Sequence, residues 1–220
     1  MVEAIIDGIN YRLDKDNQTA EVIKRGEGIY NDYKGEIIIP ETVVLNGGNY
    51  RVTSIGKKAF DECKSLKSII IPDSVMTIGE DAFCNCFSLK YIAFTDSIKT
   101  IGKSAFHRCE SLKSIIIPDS IKTISWGAFN QCKSLKAIAI PDSVTNIEDY
   151  AFEDCESLKY IVIPDSVVNI GYHAFHGCKS LYEIHYDGTK AQWIKIIEDE
   201  NFCAWSHPYF VHCTDGHIEI

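Results

Sequence analysis

Proline and methionine are scarce, with six and two residues in a chain of 220. No run approaches the ~18 consecutive apolar residues that a membrane-spanning helix needs, so no span is expected. Basic charge is also short. Twenty-two Lys and Arg face 31 Asp and Glu for a formal net charge of −9, which excludes a nucleic-acid partner, because phosphate binding needs clustered cations on a net positive face. The motifs of common catalytic sites are missing too: no G-x-S-x-G elbow, no Walker loop, no G-x-G-x-x-G and no H-E-x-x-H. Serines are plentiful but periodic, so none is singled out as a nucleophile. The reading is that the protein is not an enzyme and takes no cofactor. The opening stretch MVEAIIDGINYRL places Glu3 and Asp7 where a signal peptide would need a basic region and an apolar run. The chain as given thus carries no signal peptide, which fits a cytoplasmic protein or the mature form of a secreted one.

What the sequence has in abundance is repetition. The stretch Ile69–Leu89 returns with a period of 23 residues and can be read as columns. Phe60, Phe83, Phe106, Phe129, Phe152 and Phe175 form one column, each preceded by alanine. Cys63, Cys86, Cys109, Cys132, Cys155 and Cys178 form a second; Leu66, Leu89, Leu112, Leu135, Leu158 and Leu181 form a third, each preceded by serine. A period of this length marks a solenoid or an array, in which each unit buries its apolar face against the next. In Leu66–Ile71 the pattern L-x-x-I-x-I reads as a short strand with Leu66, Ile69 and Ile71 inward and Ser68 and Ile70 outward. Pro72 ends it. Asp73 and Ser74 suit a turn by bonding nearby N–H groups, Gly79 permits a tight corner, and a short helical or 3-10 segment is expected around Ala82 and Phe83.

Nine cysteines suggest at first a disulfide framework or a zinc site. Six of them occupy one repeat position, which points to reduced, buried thiols filling a narrow inner corner. Cys84, Cys203 and Cys213 lie off that column. The only cluster with metal-ligand residue types is His207, His212, Cys213 and His217 with Cys203 upstream; its spacing matches no zinc pattern, so no metal site is expected.

The unit IPDSVxxIGxxAFxxCxSL resembles the BspA-like class of leucine-rich repeats, found on surface proteins of gut and oral bacteria and of some protists. The likeness covers roughly residues 36–186. Tyr186-Asp187-Gly188-Thr189, Gln192-Trp193 and Cys213-Thr214-Asp215-Gly216 are similar to segments that follow such repeats. Thr95 departs from the proline, Ser125 and Glu148 from the corner glycine. The resemblance implies an α/β fold: a right-handed leucine-rich-repeat solenoid with a concave parallel β-sheet and short helical or 3-10 segments on the other side. It also implies an adhesive or other binding role at a cell surface, outside the cell if a leader has been removed. The expectation is one domain over 1–220, with an N-terminal hairpin cap at 2–35 (strands Ala4–Leu13 and Thr19–Arg25), repeats at 36–186 with a hairpin insertion at 43–53, and a C-terminal helix and hairpin cap at 187–220. In that last cap Ala191, Trp193, Ile194 and Ile197 are available to cover the final coil.

Two surfaces are candidates for binding. The outward strand positions Ile70, Tyr91, Ala93, Ile116, Tyr160, Val162, Glu183 and His185 are more apolar and aromatic than a solvated sheet face usually is, although β-propensity alone also selects Ile and Val there. On the opposite side, stacking brings Trp126, Tyr150, Tyr172 and His173 onto neighbouring coils. Columns of lysine (Lys67, Lys90, Lys113, Lys136, Lys159) and aspartate (Asp73, Asp96, Asp119, Asp142, Asp165) flank the strands and read as solvated turns, or else as ladders orienting a charged polymer. The functional reading is a non-enzymatic binding module for a protein or glycan. The alternative is a structural or self-assembling repeat spacer.

Overall fold

The computed structural model describes residues 1–24, 33–197 and 209–219. Its body is a β-solenoid of about six turns. The column residues line one continuous core: the leucines and cysteines named above are nearly inaccessible, and the six phenylalanines stack ring on ring with centroids 5.1–5.5 Å apart and planes within 7°. Residues one period apart are therefore spatial neighbours. Tyr33 closes the N-terminal end of the stack 5.0 Å from Phe60.

Two ladders of parallel strands run along the solenoid. On the outer sheet face Gly35–Ile38, Leu66–Ile70 and Tyr91–Ala93 pair in order; Ala137–Ala139, Tyr160–Ile163, Glu183–Tyr186 and Phe210–Cys213 form a second block, which Gly216–Glu219 ends antiparallel. On the flank Gly48–Ile55, Thr77–Ile78 and Thr100–Ile101 pair, then Thr123–Ile124, Asn146–Ile147 and Asn169–Ile170. Each ladder breaks once, where the sequence departs from its consensus. Phe94 is only half-buried in the column where Ile71, Ile117, Ile140 and Ile163 are buried, and Thr95 follows it in place of proline. The neighbouring stretch 112–118 forms no strand. On the flank, Gly79, Gly102, Glu148 and Gly171 each donate their N–H to the preceding coil at 2.7–2.9 Å, whereas Ser125 donates its Oγ to Ile101 O at 2.7 Å instead. That substitution of hydroxyl for amide coincides with the gap between Ile101 and Thr123.

Among the described residues the third side holds no helix. The expected helical or 3-10 segments are replaced by stacked turns, and among the described residues the one helix is Lys190–Ile197. Each coil places two residues in left-handed conformation four apart, such as Lys58 and Glu62, Asp81 and Asn85, or Tyr150 and Asp154. These reversals interrupt any run of right-handed turns. They aim alternate N–H groups at the next coil: Lys58 to Glu80, Phe60 to Ala82 and Glu62 to Cys84, at 2.8–2.9 Å. Away from the two ladder breaks, every side of the coil is thus tied to its neighbour by backbone bonds, which satisfies groups that burial would otherwise orphan.

Further details differ from the sequence reading. Gly79 is needed less for a tight corner than for close approach: a Cβ at Gly79, Gly102 or Gly171 would lie 2.5–2.7 Å from backbone of the preceding corner. Ser74 Oγ is buried without a hydrogen-bond partner, whereas in later coils the serine after Asp bonds across coils: Ser97 and Ser166 donate to Val75 O and Val144 O at 2.9 and 2.8 Å, and Ser97 also meets Thr95 Oγ1 at 3.1 Å. At the N terminus Ala4–Leu13 is two strands, Val2–Ile6 and Ile9–Asp14, because Asp7 and Gly8 turn with positive φ. With Thr19–Val22 they make a three-stranded antiparallel meander. The insertion is the hairpin Thr42–Leu45 with Gly48–Ile55, turned at Asn46 and Gly47. In the terminal helix Trp193 is buried and Ile197 packs against the core as expected, while Ala191 and Ile194 are exposed and Ile196 is buried in their stead.

Candidate functional site

On the outer sheet face the alternation holds: Ile69 and Ile71 are buried and Ile70 is exposed. Ile70, Tyr91, Ile116 and Tyr160 are 44%, 56%, 86% and 46% exposed, His185 is exposed, and Ala93, Val162 and Glu183 are half-buried. They do not form one cluster. Ile70 sits opposite Ala93, and Ile116 lies on the unpaired coil. Tyr160 pairs with Glu183, and Val162 with His185. Tyr91 and Tyr160 stand three coils apart, about 14 Å at the usual strand spacing.

The second block is larger than the sequence suggested. Phe210–Cys213 adds a parallel strand that sets Phe210 beside Glu183 and His212 beside His185. The His185 and His212 rings stack at 5.0 Å and Tyr160 meets His185 edge-on at 6.3 Å. The signal was available: F-V-H-C repeats the in-out pattern of E-I-H-Y, with Val211 and Ile184 both buried. It was masked by reading the segment as a cap.

The aromatic patch forms as a single cluster. Trp126 meets Tyr150 edge-on at 5.5 Å, Tyr150 meets Tyr172 and His173 at 5.7 and 5.6 Å, and Tyr172 stacks on His173 at 3.8 Å. Backbone N–H groups of Trp126 and Tyr172 are capped by Glu148 and Asp149 at 2.7 and 2.8 Å, so corner side chains hold the aromatic turns in place. Desolvation, then the neighbouring Tyr172 and Glu153, hold the Tyr150 hydroxyl above its ordinary pKa. The cluster continues into residues the sequence reading did not include: His176 stacks on His173 at 4.4 Å, and Glu153 lies beneath both.

The thiols are not arranged for nucleophilic work. Cys86, Cys109, Cys132, Cys155 and Cys178 each donate Sγ–H to the phenylalanine carbonyl 26 positions earlier, at 3.1–3.3 Å. The column thus closes a buried carbonyl as well as filling a corner. Burial pushes Cys84 up to about 12 and Cys109 well above the usual thiol range. Of the C-terminal histidine and cysteine group, Cys203 and His207 lie outside the described residues; His212 pairs with His217 across the hairpin while Cys213 is turned inward and half-buried. The lysine column is solvent-exposed, and the ion pairs that cross coils use other residues: Lys57–Glu80, Glu110–Lys133 and Glu156–Lys179 at 2.8–3.0 Å.

These features define a repeat solenoid that displays side chains in ladders. Residues 48–159 and 145–207 match the model of the BspA type leucine rich repeat region in six copies, and the chain belongs to that family. No curated protein matches the sequence. Among solved structures the chain is similar to the leucine-rich repeat protein of T. pallidum, with 32% identity, TM-score 0.70, and 83% and 81% of the two chains covered. It is also similar to a leucine-rich repeat protein of Eubacterium ventriosum, with 25% identity and TM-score 0.60 over 80% of this chain and 50% of that one. No helix among the described residues is long and apolar enough to cross a membrane.

Proposed function

We propose that the chain is a non-enzymatic binding module, working at a bacterial cell surface, whose outer sheet face takes a protein or glycan partner. The observation that carries this reading is the set of exposed large apolar side chains spread in two columns along one face: Ile38, Ile70 and Ile116 in one, Tyr91, Tyr160 and Phe210 in the other. Covering a side chain of this size is worth about 1.5–3 kcal/mol, so a partner that seated on three or four of them would have ample driving force before ordering costs. Tyrosine supplies a rigid apolar ring with a hydroxyl at its rim, the combination favoured at contact centres. The family membership supports a surface role, as the resemblance implied.

The test is a binding screen against host proteins and glycans with the wild-type chain and with Tyr91→Ala/Tyr160→Ala. Both tyrosines are exposed, so stability should change by no more than about 0.5 kcal/mol for each, while partner capture is lost. Full capture by the double mutant would remove this face as the site. Absence of any ligand together with concentration-dependent sedimentation would favour the rival, a self-assembling spacer.

A further inference from the structure

We propose that Glu153, His173 and His176 form a binding site for one divalent transition-metal ion of the zinc class, on the turn side of the solenoid beside the aromatic cluster. The three residues offer one carboxylate oxygen and two imidazole nitrogens, all within 4.8 Å of one another. Glu153 Oε1 lies 3.6 Å from Nδ1 of His173 and 3.6 Å from Nδ1 of His176. Those separations are too long for hydrogen bonds. They are close to the ~3.4 Å between donors set tetrahedrally at the ~2.05 Å bond lengths of zinc. His176 Nδ1 is buried and makes no hydrogen bond; it faces the Glu153 carboxylate at 3.6 Å, and a metal ion between the two would satisfy both.

The surroundings hold the Glu153 and His173 donors in place. Glu153 Oε2 accepts from Asn130 Nδ2 at 2.8 Å, which fixes the carboxylate with Oε1 left over; an oriented ligand of this kind is what metal sites require around them. His173 stacks on Tyr172 and His176 at 3.8 and 4.4 Å with the two imidazole planes 14° apart, so the half-exposed His176 ring must turn to bring both lone pairs onto one ion. The His173 backbone sits at φ 54°, so the turn that makes the coil ladder also sets the position of its ring. Two imidazoles and one carboxylate suit zinc and its neighbours, not magnesium or calcium, which prefer oxygen throughout. The three residues are half-buried, so a fourth position remains for water or for a side chain of a binding partner, beside Tyr172 and Tyr150. This site stands apart from the sheet face, and its test does not depend on that reading.

The test is calorimetric titration of the metal-stripped chain with zinc chloride, repeated with magnesium. One zinc per chain is expected, with no magnesium binding. Glu153→Gln, His173→Asn and His176→Ala should each weaken zinc binding by more than about tenfold, the least that loss of a ligand costs when outer-shell changes already cost 10–100-fold. His173→Asn is chosen because asparagine tolerates the left-handed backbone, and unfolding of each metal-free variant should match wild type. His212→Ala/His217→Ala should bind as wild type. Absence of saturable binding below millimolar zinc, or binding that survives all three substitutions and falls instead with the C-terminal pair, would overturn the site. A shift of the His176 Nδ1 resonance on adding zinc would support it independently of affinity.

Discussion

Replacing Gly102 by alanine should be among the costliest single-methyl additions in this chain. A Cβ there would lie 2.6 Å from Glu80 N and from Gly79 C, and 2.8 Å from Gly79 O. All three are backbone atoms, so no side chain can swing aside. Reaching ordinary contact means separating two coils locally by about 0.8 Å, and overpacking of this kind typically costs about 1–3 kcal/mol. The same separation stretches the bond from Gly102 N–H to Ile78 O, now 2.8 Å, and a lost backbone bond adds about 1 kcal/mol. The sum is about 2–4 kcal/mol, or a melting temperature lower by about 4–16 °C in a chain of this length. Gly127→Ala is the matched control. Its new methyl meets nothing nearer than Ser104 Oγ at 3.3 Å, and it is strained only by φ +57°, which costs about 1 kcal/mol. Urea unfolding followed by circular dichroism ranks the pair directly. If Gly102→Ala proves no more damaging than Gly127→Ala, close stacking of corner backbones is not what selects glycine there.

Alkali should unfold this protein unusually early. Burial raises the thiol pKa values of Cys86, Cys109, Cys132 and Cys155 above the ordinary thiol range. The folded values exceed the unfolded one, so stability is intact below pH 9 and falls as pH rises, because only the unfolded chain releases these protons. At about 1.4 kcal/mol per pH unit for each thiol, four of them give a slope of about 5–6 kcal/mol per unit above pH 9, and a urea midpoint unchanged between pH 8 and 10.5 would refute it. Thiol labelling of the native chain at pH 8 should modify Cys213 before any other described cysteine, since the column is buried and hydrogen-bonded; equal labelling of Cys109 would contradict that arrangement. Cys109→Ala removes the donor to Phe83 O and leaves a small void, for an expected loss of about 1–3 kcal/mol in urea unfolding; an unchanged midpoint would make the column pure filler.

Sequence legibility followed the physical reach of each signal. The stacking register was visible because phenylalanine, cysteine and leucine recur with nothing else fitting their sites, and the two ladder breaks fall at Phe94-Thr95 and Ser125, which the consensus itself marks as departures. The turn side was misread for a definite reason. Ala82, Phe83 and Cys86 have the spacing of an inward helical face, and the residues that defeat a helix are Asp81 and Asn85 in left-handed conformation. Across the coils those positions hold Lys58, Glu62, Ser104, Arg108, Gln131, Tyr150, Asp154 and His173 as well, and only Gly127 and Gly177 are glycine. A conformation imposed by coil-to-coil hydrogen bonds therefore leaves no local residue signature. The same limit applies to the proposed metal site. His173 was seen because its column neighbour Tyr150 is aromatic; Glu153 and His176 stand one period apart in a column with Asn130, so their stacking was legible, but their meeting with His173 was not. Periodicity reports which like positions stack. It says nothing about unlike positions that meet across two coils, as His173 and Glu153 do here.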